Sequence, residues 1–269
     1  FKEILFVWQY LLLNYKKYDL IHSFGRLIYL LPVLNKPVKK IMSYQRAVTA
    51  KNIAFITGFP NKNLFFTGCS NYTVSTGNNA GKWATVYNAV ETFKYEFKEK
   101  VLSDAPLIFL GRIDRIKGCH HCITLAKEAG RKLIIAGNIS TLDHEKTYFN
   151  EEIEPHIDGE QIKYIGPVND EQKNYYLGLS SALLMLIDWD EPFGIVMAEA
   201  LACGTPVIGF PRGAVPEVVE NGTNGFIVRD IEEAKSALNK IDLIDRKKCR
   251  AIAEKKFDIS VIAREYLHI

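Results

Sequence analysis

The stretch Trp189-Asp190-Glu191-Pro192-Phe193-Gly194-Ile195-Val196-Met197-Ala198-Glu199-Ala200-Leu201-Ala202-Cys203-Gly204-Thr205-Pro206-Val207-Ile208-Gly209 decides the reading of this chain. Pro192 suits a first helical turn, where an amide lacks an intrahelical partner anyway. Gly204 suits the left-handed position just past a helix end. The punctuation predicts a helix over 193–203. At about 1.5 Å rise per residue, Glu191 and Glu199 stand roughly 12 Å apart along the axis and about 80° apart around it, on one side. A carboxyl pair serving one glycosidic bond is about 5 to 9.5 Å apart, so this span suits a long ligand held by hydroxyls at both ends.

A nucleotide sugar is such a ligand. The segment resembles the Glu-x7-Glu motif of the retaining nucleotide-sugar glycosyltransferases with the GT-B fold, the group 1 or family 4 class. The likeness continues through Thr205-Pro206-Val207-Ile208, Arg212-Gly213-Ala214-Val215-Pro216-Glu217-Val218 and Gly222-Thr223-Asn224-Gly225-Phe226. The resemblance implies that Glu191 binds hydroxyls of the donor sugar and Glu199 the ribose. It also implies an α/β chain with two Rossmann-like parallel-sheet domains facing a cleft. The usual Gly-rich loop after a first strand has no counterpart here and the chain opens at Phe1, so the N-terminal domain is expected to be incomplete at its start.

Apolar runs alternating with helical stretches indicate parallel sheets with crossover helices. Strands are expected at 20–23, 38–43, 64–67 and 85–87, then at 107–110, 132–136, 162–165, 182–187, 206–209 and 225–228. The charged stretch 91–104 reads as a linker, giving an N-terminal domain over 1–103 and a nucleotide-sugar-binding domain over 104–258. A terminal helix over 259–269 is expected to cross back to the first domain, as in the resembling family. The first helix, 2–15, carries Phe6, Trp8, Leu12 and Leu13. Packing on the sheet is its expected use, with an interfacial membrane role as the alternative.

Ligands of open parallel sheets bind beyond the carboxyl ends of the strands, where four segments converge. Gly111-Arg112-Ile113-Asp114-Arg115-Ile116-Lys117-Gly118 follows one strand and resembles the family's Gly-Arg…Lys-Gly element, in which Arg112 and Lys117 would grip the donor diphosphate. Two cations there would stabilise a departing diphosphate without a metal. Tyr164-Ile165-Gly166-Pro167-Val168 resembles the turn that reads the nucleobase, putting Gly166 and Pro167 in the donor site. Phe193, Gly194 and Ile195 open the Glu191 helix, whose amides suit a phosphate or sugar oxygen. Gly209-Phe210-Pro211-Arg212-Gly213 completes the set. In the first domain Gln45 stands where many family members have a His, and His22 is a second residue for the acceptor or donor side. Arg26 and Arg46 are candidates for phosphate or acceptor contact, or for plain solvation.

Composition narrows the rest. A net charge of +3 leaves no electrostatic footprint that demands nucleic acid. Five irregularly spaced cysteines fit a reducing cytoplasm better than a disulfide framework. The run Ile4 to Leu13 is about half the length of a membrane span. Location is therefore expected to be cytoplasmic, with the inner face of the membrane as a second station and peripheral contact there. Cys119-His120-His121-Cys122 has CxxC spacing, but no second cysteine pair completes a zinc site, so helix-start packing is its expected role and no metal site is assigned. Asp188 and Asp190 have Asp-x-Asp spacing, with a turn or capping role expected. Neither a G-x-G-x-x-G after a strand nor a P-loop is present, which removes dehydrogenase and P-loop readings. The resemblance implies transfer of a hexose-type unit from a nucleoside diphosphate sugar such as UDP or GDP to a glycan, lipid-linked or small-molecule acceptor, with no cofactor. A non-catalytic nucleotide-sugar-binding partner subunit and a sugar-nucleotide epimerase or hydrolase on the same fold stay open as alternatives.

Overall fold

Parallel strands covered on both faces carry unbroken apolar runs rather than alternation, and runs such as Leu-Ile-Phe-Leu at 107–110 and Ala-Leu-Leu-Met at 182–185 build the larger of the two sheets. The structure is a computed structural model that describes residues 2–78 and 80–269. The chain forms two compact units, Phe1–Tyr87 with Ala263–Ile269, and Asn88–Ile262.

In the first unit, β1 (Leu20–Ser23), β2 (Lys39–Tyr44), β3 (Leu64–Gly68) and β4 (Trp83–Thr85) pair in that order, all parallel. Helices α1 (Lys2–Asn14), α2 (Ala50–Thr57) and α3 (Asn71–Ser75) belong to it. Its core gathers Leu30, Leu34, Met42, Ile53, Ile56, Leu64 and Phe66.

The second unit contains β5 (Leu107–Leu110), β6 (Leu133–Ala136), β7 (Ile162–Tyr164), β8 (Ala182–Met185), β9 (Val207–Gly209) and β10 (Gly225–Ile227). Their order across the sheet is β10-β9-β8-β5-β6-β7, again parallel. This is the doubly wound order, whose direction of winding reverses between β5 and β8 and opens a crevice at their carboxyl ends. The helices are α4 (Cys119–Glu128), α5 (Asp143–Tyr148), α6 (Asp170–Leu179), α7 (Ile195–Ala202), α8 (Val215–Val218), α9 (Ile231–Leu238) and α10 (Arg246–Lys256). A last helix, α11 (Ile259–Leu267), spans the final residues of the second unit and the first of the C-terminal segment grouped with the first.

Two boundaries differ from the sequence reading. The units divide at Tyr87 and Asn88, not near residue 103, because the charged stretch read as a linker is strapped to the second unit. Val90 N–H donates to the Phe257 carbonyl at 2.7 Å, Lys98 N–H to that of Cys203 at 3.0 Å, and Arg250 Nη1 to that of Tyr95 at 2.8 Å. Helix α7 begins at Ile195 rather than Phe193, because Gly194 caps it with φ +73, a left-handed backbone outside the helix. Glu191 thus lies in a loop, four residues ahead of the first helical residue.

Arg246 fastens the same strap from inside. Buried and pulled by burial to a pKa of about 10, it stays cationic at neutral pH. It donates to the carbonyls of Lys98, Gly178 and Ser180 at 2.6, 2.9 and 3.0 Å and to Thr205 Oγ1 at 2.8 Å. Arg246→Ala strands these acceptors and should cost about 3 kcal/mol of stability. A denaturant midpoint that moves by less than the equivalent of about 1 kcal/mol would count against this anchoring role.

Candidate active site

The crevice between β5 and β8 is framed by glycines that let main chains touch. Gly118, at φ +70, closes a short helical turn over Arg115–Lys117, and a Cβ there would sit 1.8 Å from the Leu186 carbonyl oxygen. A Cβ on Gly137 would sit 1.8 Å from the Gly111 carbonyl oxygen, and one on Gly213 would sit 2.3 Å from that of Glu191. The loops after β5, β6, β8 and β9 are thereby pressed together at the switch point. Ala214 N–H donates to the Glu191 carbonyl at 2.8 Å, so the Gly209–Gly213 loop backs the Glu191 main chain. Asp190 Oδ1 accepts from Gly213 N–H at 3.2 Å, a turn-fixing role as expected.

Lys117 and Glu191 meet in this crevice. Lys117 Nζ lies 2.6 Å from Glu191 Oε2, which also accepts from Trp189 Nε1 at 3.0 Å. The ammonium stands over the Trp189 ring, 4.4 Å from its centroid. Both charged side chains are mostly buried, at 21% and 11% exposure, so water screens the pair weakly. They line a cavity of about 230 Å³ together with Gly111, Arg112, Gly194 and Ile195. Arg112 is exposed, its Nη2 held 2.6 Å from Asp114 Oδ2.

Glu199, at least as buried, faces different partners. It accepts from Tyr95 OH at 2.8 Å and Lys173 Nζ at 2.7 Å. Burial works against the Lys173 ammonium, but the Glu199 carboxylate more than offsets it and raises the pKa. Burial, reinforced by the Glu199 charge, raises that of the Tyr95 phenol, which stays protonated. This triad lines a second cavity, of about 360 Å³, and Ile195 lines both. The two glutamates therefore flank one residue rather than share one helix face.

The remaining expected residues are dispersed. Phe193 is buried and packs edge-on against Phe257, so its side chain is core. Gly166, with φ +73 and open space at its Cβ position, and exposed Pro167 follow β7, which lies two strands from β5, outside both cavities. In the first unit, His22 Nε2 lies 2.7 Å from Ser43 Oγ, and its ring packs beside Phe24 and Tyr266. Burial lowers its pKa, favouring the neutral imidazole. Gln45 is exposed just past β2. Sequence reasoning missed Tyr95, Lys173 and Trp189. Trp189 was within reach, being two residues from Glu191, whereas Tyr95 precedes Glu199 by 104 residues and left no local signal.

The six-stranded doubly wound sheet and the four-stranded parallel sheet together match the GT-B fold of solved glycosyltransferases. The chain belongs to the family of glycosyl transferases group 1, which its residues 92–257 match. It is similar to a 41.2 kDa Klebsiella pneumoniae protein of the cps region, 27% identical over 96% of this chain and 72% of that one. Across a shorter stretch it is 36% identical to the D-inositol 3-phosphate glycosyltransferase of Streptomyces scabiei, covering 28% of this chain and 17% of that one. A Rickettsia africae glycosyltransferase has the same fold, with a TM-score of 0.82 at 16% identity over 98% of this chain and 80% of that one. So does Anabaena HepE, solved in complex with UDP-glucose, with a TM-score of 0.76 at 18% identity over the same shares of the two chains. No helix among the described residues is long and apolar enough to cross a membrane.

Proposed function

We propose that this glycosyltransferase retains anomeric configuration and moves a sugar from a nucleoside diphosphate sugar to a hydroxyl of a glycan, lipid-linked or small-molecule acceptor. The observation that carries the reading is the mostly buried Lys117–Glu191 pair at the β5/β8 switch point, where an open parallel sheet binds its ligand. Among the described residues, the side-chain bonds from Lys117 and Trp189 to Glu191 both end on Oε2, which leaves Oε1 for a sugar hydroxyl. The Lys117 ammonium and the Arg112 guanidinium supply charge where the diphosphate departs, so no magnesium or manganese is needed there. Glu199, set in its triad beside Ile195, holds the ribose. Binding of UDP-glucose by Anabaena HepE, a protein of the same fold, supports a donor of this kind. Cytoplasmic placement, at or near a membrane face, suits a soluble nucleotide donor.

A mass-spectrometric screen of nucleotide sugars for binding and turnover, with NMR assignment of the product anomer, tests this reading. The expected result is one donor consumed without added divalent metal and an α-linked product from an α-linked donor. An inverted product removes the retaining assignment. Binding without turnover over a broad acceptor panel points instead to a partner subunit, and donor loss without any acceptor product to a hydrolase or epimerase.

A further inference from the structure

The first turn of α4 and the loop after β8 bring two imidazoles and a carboxylate to one point, on the two segments that carry Lys117 and Glu191. His121 Nε2 lies 3.1 Å from Asp188 Oδ2, and His120 Nε2 lies 3.6 Å from the same oxygen. One donor atom from each of the three residues falls within 4.8 Å of the others. In a tetrahedral site with metal-ligand bonds of about 2.0–2.1 Å, neighbouring donors stand roughly 3.4 Å apart, and the two histidine nitrogens stand 3.1 and 3.6 Å from the Asp188 oxygen. We propose that His120, His121 and Asp188 bind a divalent transition-metal ion of the zinc, cobalt and nickel class.

The surroundings support a ligating arrangement. His120 Nδ1 is 2.9 Å from the Tyr148 hydroxyl, which also accepts the His120 backbone N–H at 3.2 Å. Tyr148 thereby fixes the ring with Nε2 toward Asp188, the outer-sphere contact that metal-bound histidines use. Asp188 is partly exposed, giving an ion an entry path and leaving a fourth position for water. Two nitrogen donors favour borderline ions over magnesium and calcium, which prefer all-oxygen sites. Cys119 and Cys122 take no part, being fully buried. Because the Asp188 backbone N–H already donates to the Ile116 carbonyl at 2.9 Å, a bound ion would clamp two segments that touch beforehand.

The test is a cobalt(II) titration of chelator-stripped protein that carries no polyhistidine tag, read by visible absorption and competed with zinc. One cobalt per chain should bind with tetrahedral ligand-field bands and be displaced by zinc but not by magnesium. His121→Ala and Asp188→Ala should each weaken binding by more than about 100-fold, and Tyr148→Phe by roughly 10-fold. Circular dichroism and thermal melts of each variant, which changes a half-exposed group or a single hydroxyl, separate lost ligation from lost fold. Absence of cobalt bands, affinity unchanged in folded His121→Ala and Asp188→Ala, or a thiolate charge-transfer band implicating Cys119 or Cys122 would each overturn the proposal. The readout is metal binding, so its failure leaves the transferase reading standing, and the reverse holds as well.

Discussion

Replacing Lys117 by Ala should lower turnover roughly 100- to 1,000-fold with the best donor, a loss of about 3 to 4 kcal/mol of transition-state stabilisation, while the Michaelis constant for that donor changes little. The diphosphate gains negative charge as the glycosidic bond breaks, so a cation held beside it contributes more in the transition state than in the ground state. Lys117 is mostly buried and weakly screened, whereas Arg112, exposed and tied to Asp114, should matter less. Glu191 keeps its Trp189 partner in the variant, so a thermal melt should show a folded protein. Near-parental turnover in Lys117→Ala would remove the lysine from the leaving-group role.

The second large effect separates the two glutamates. Glu199→Gln should weaken binding of the free nucleoside diphosphate about 10- to 100-fold, the loss of a charge-assisted hydrogen bond worth about 1.5 to 3 kcal/mol. Glu191→Gln should leave that affinity nearly intact and damage transfer. A ribose contact is made with or without the sugar, whereas a sugar contact is invisible to the bare nucleotide. Gln is used because Ala at 199 would leave the Lys173 ammonium and the Tyr95 hydroxyl without their shared acceptor. Calorimetry on both variants decides the matter, and equal losses of nucleotide affinity would refute the division of roles.

Among the described residues, every strand overlaps a run expected from the sequence, and β1 and β5 coincide with theirs end to end. Parallel strands buried on both faces leave an apolar signature that needs no partner information, and Leu107–Leu110 and Ala182–Met185 are such runs. What escaped depended on backbone or distant geometry. Pro192 reads as a helix start, yet the left-handed Gly194 delays the helix to Ile195, and a glycine's φ is not written in its letter. The stretch 91–104 is charged because one side of the strap faces water, which makes it look like a linker. Only the folded chain reveals its bonds to Asn174, Cys203 and Arg250. At the site, the Gly111–Gly118 and Glu191 segments announced themselves by motif, and Lys117 and Glu191 do meet. The Tyr95–Lys173–Glu199 triad joins three elements far apart in sequence, and no local period could have assembled it.

The main-chain contacts of Gly118, Gly137 and Gly213 bear on how donor preference can be re-engineered. Loops that meet backbone to backbone cannot trade residues at those points without moving one another, so library design should hold these three positions constant. Diversity belongs instead at Ile195, whose exposed side chain borders both cavities, and at Trp189, whose ring supports the lysine. Libraries restricted to those two sites should yield a larger share of well-folded variants than libraries that also randomise the glycines.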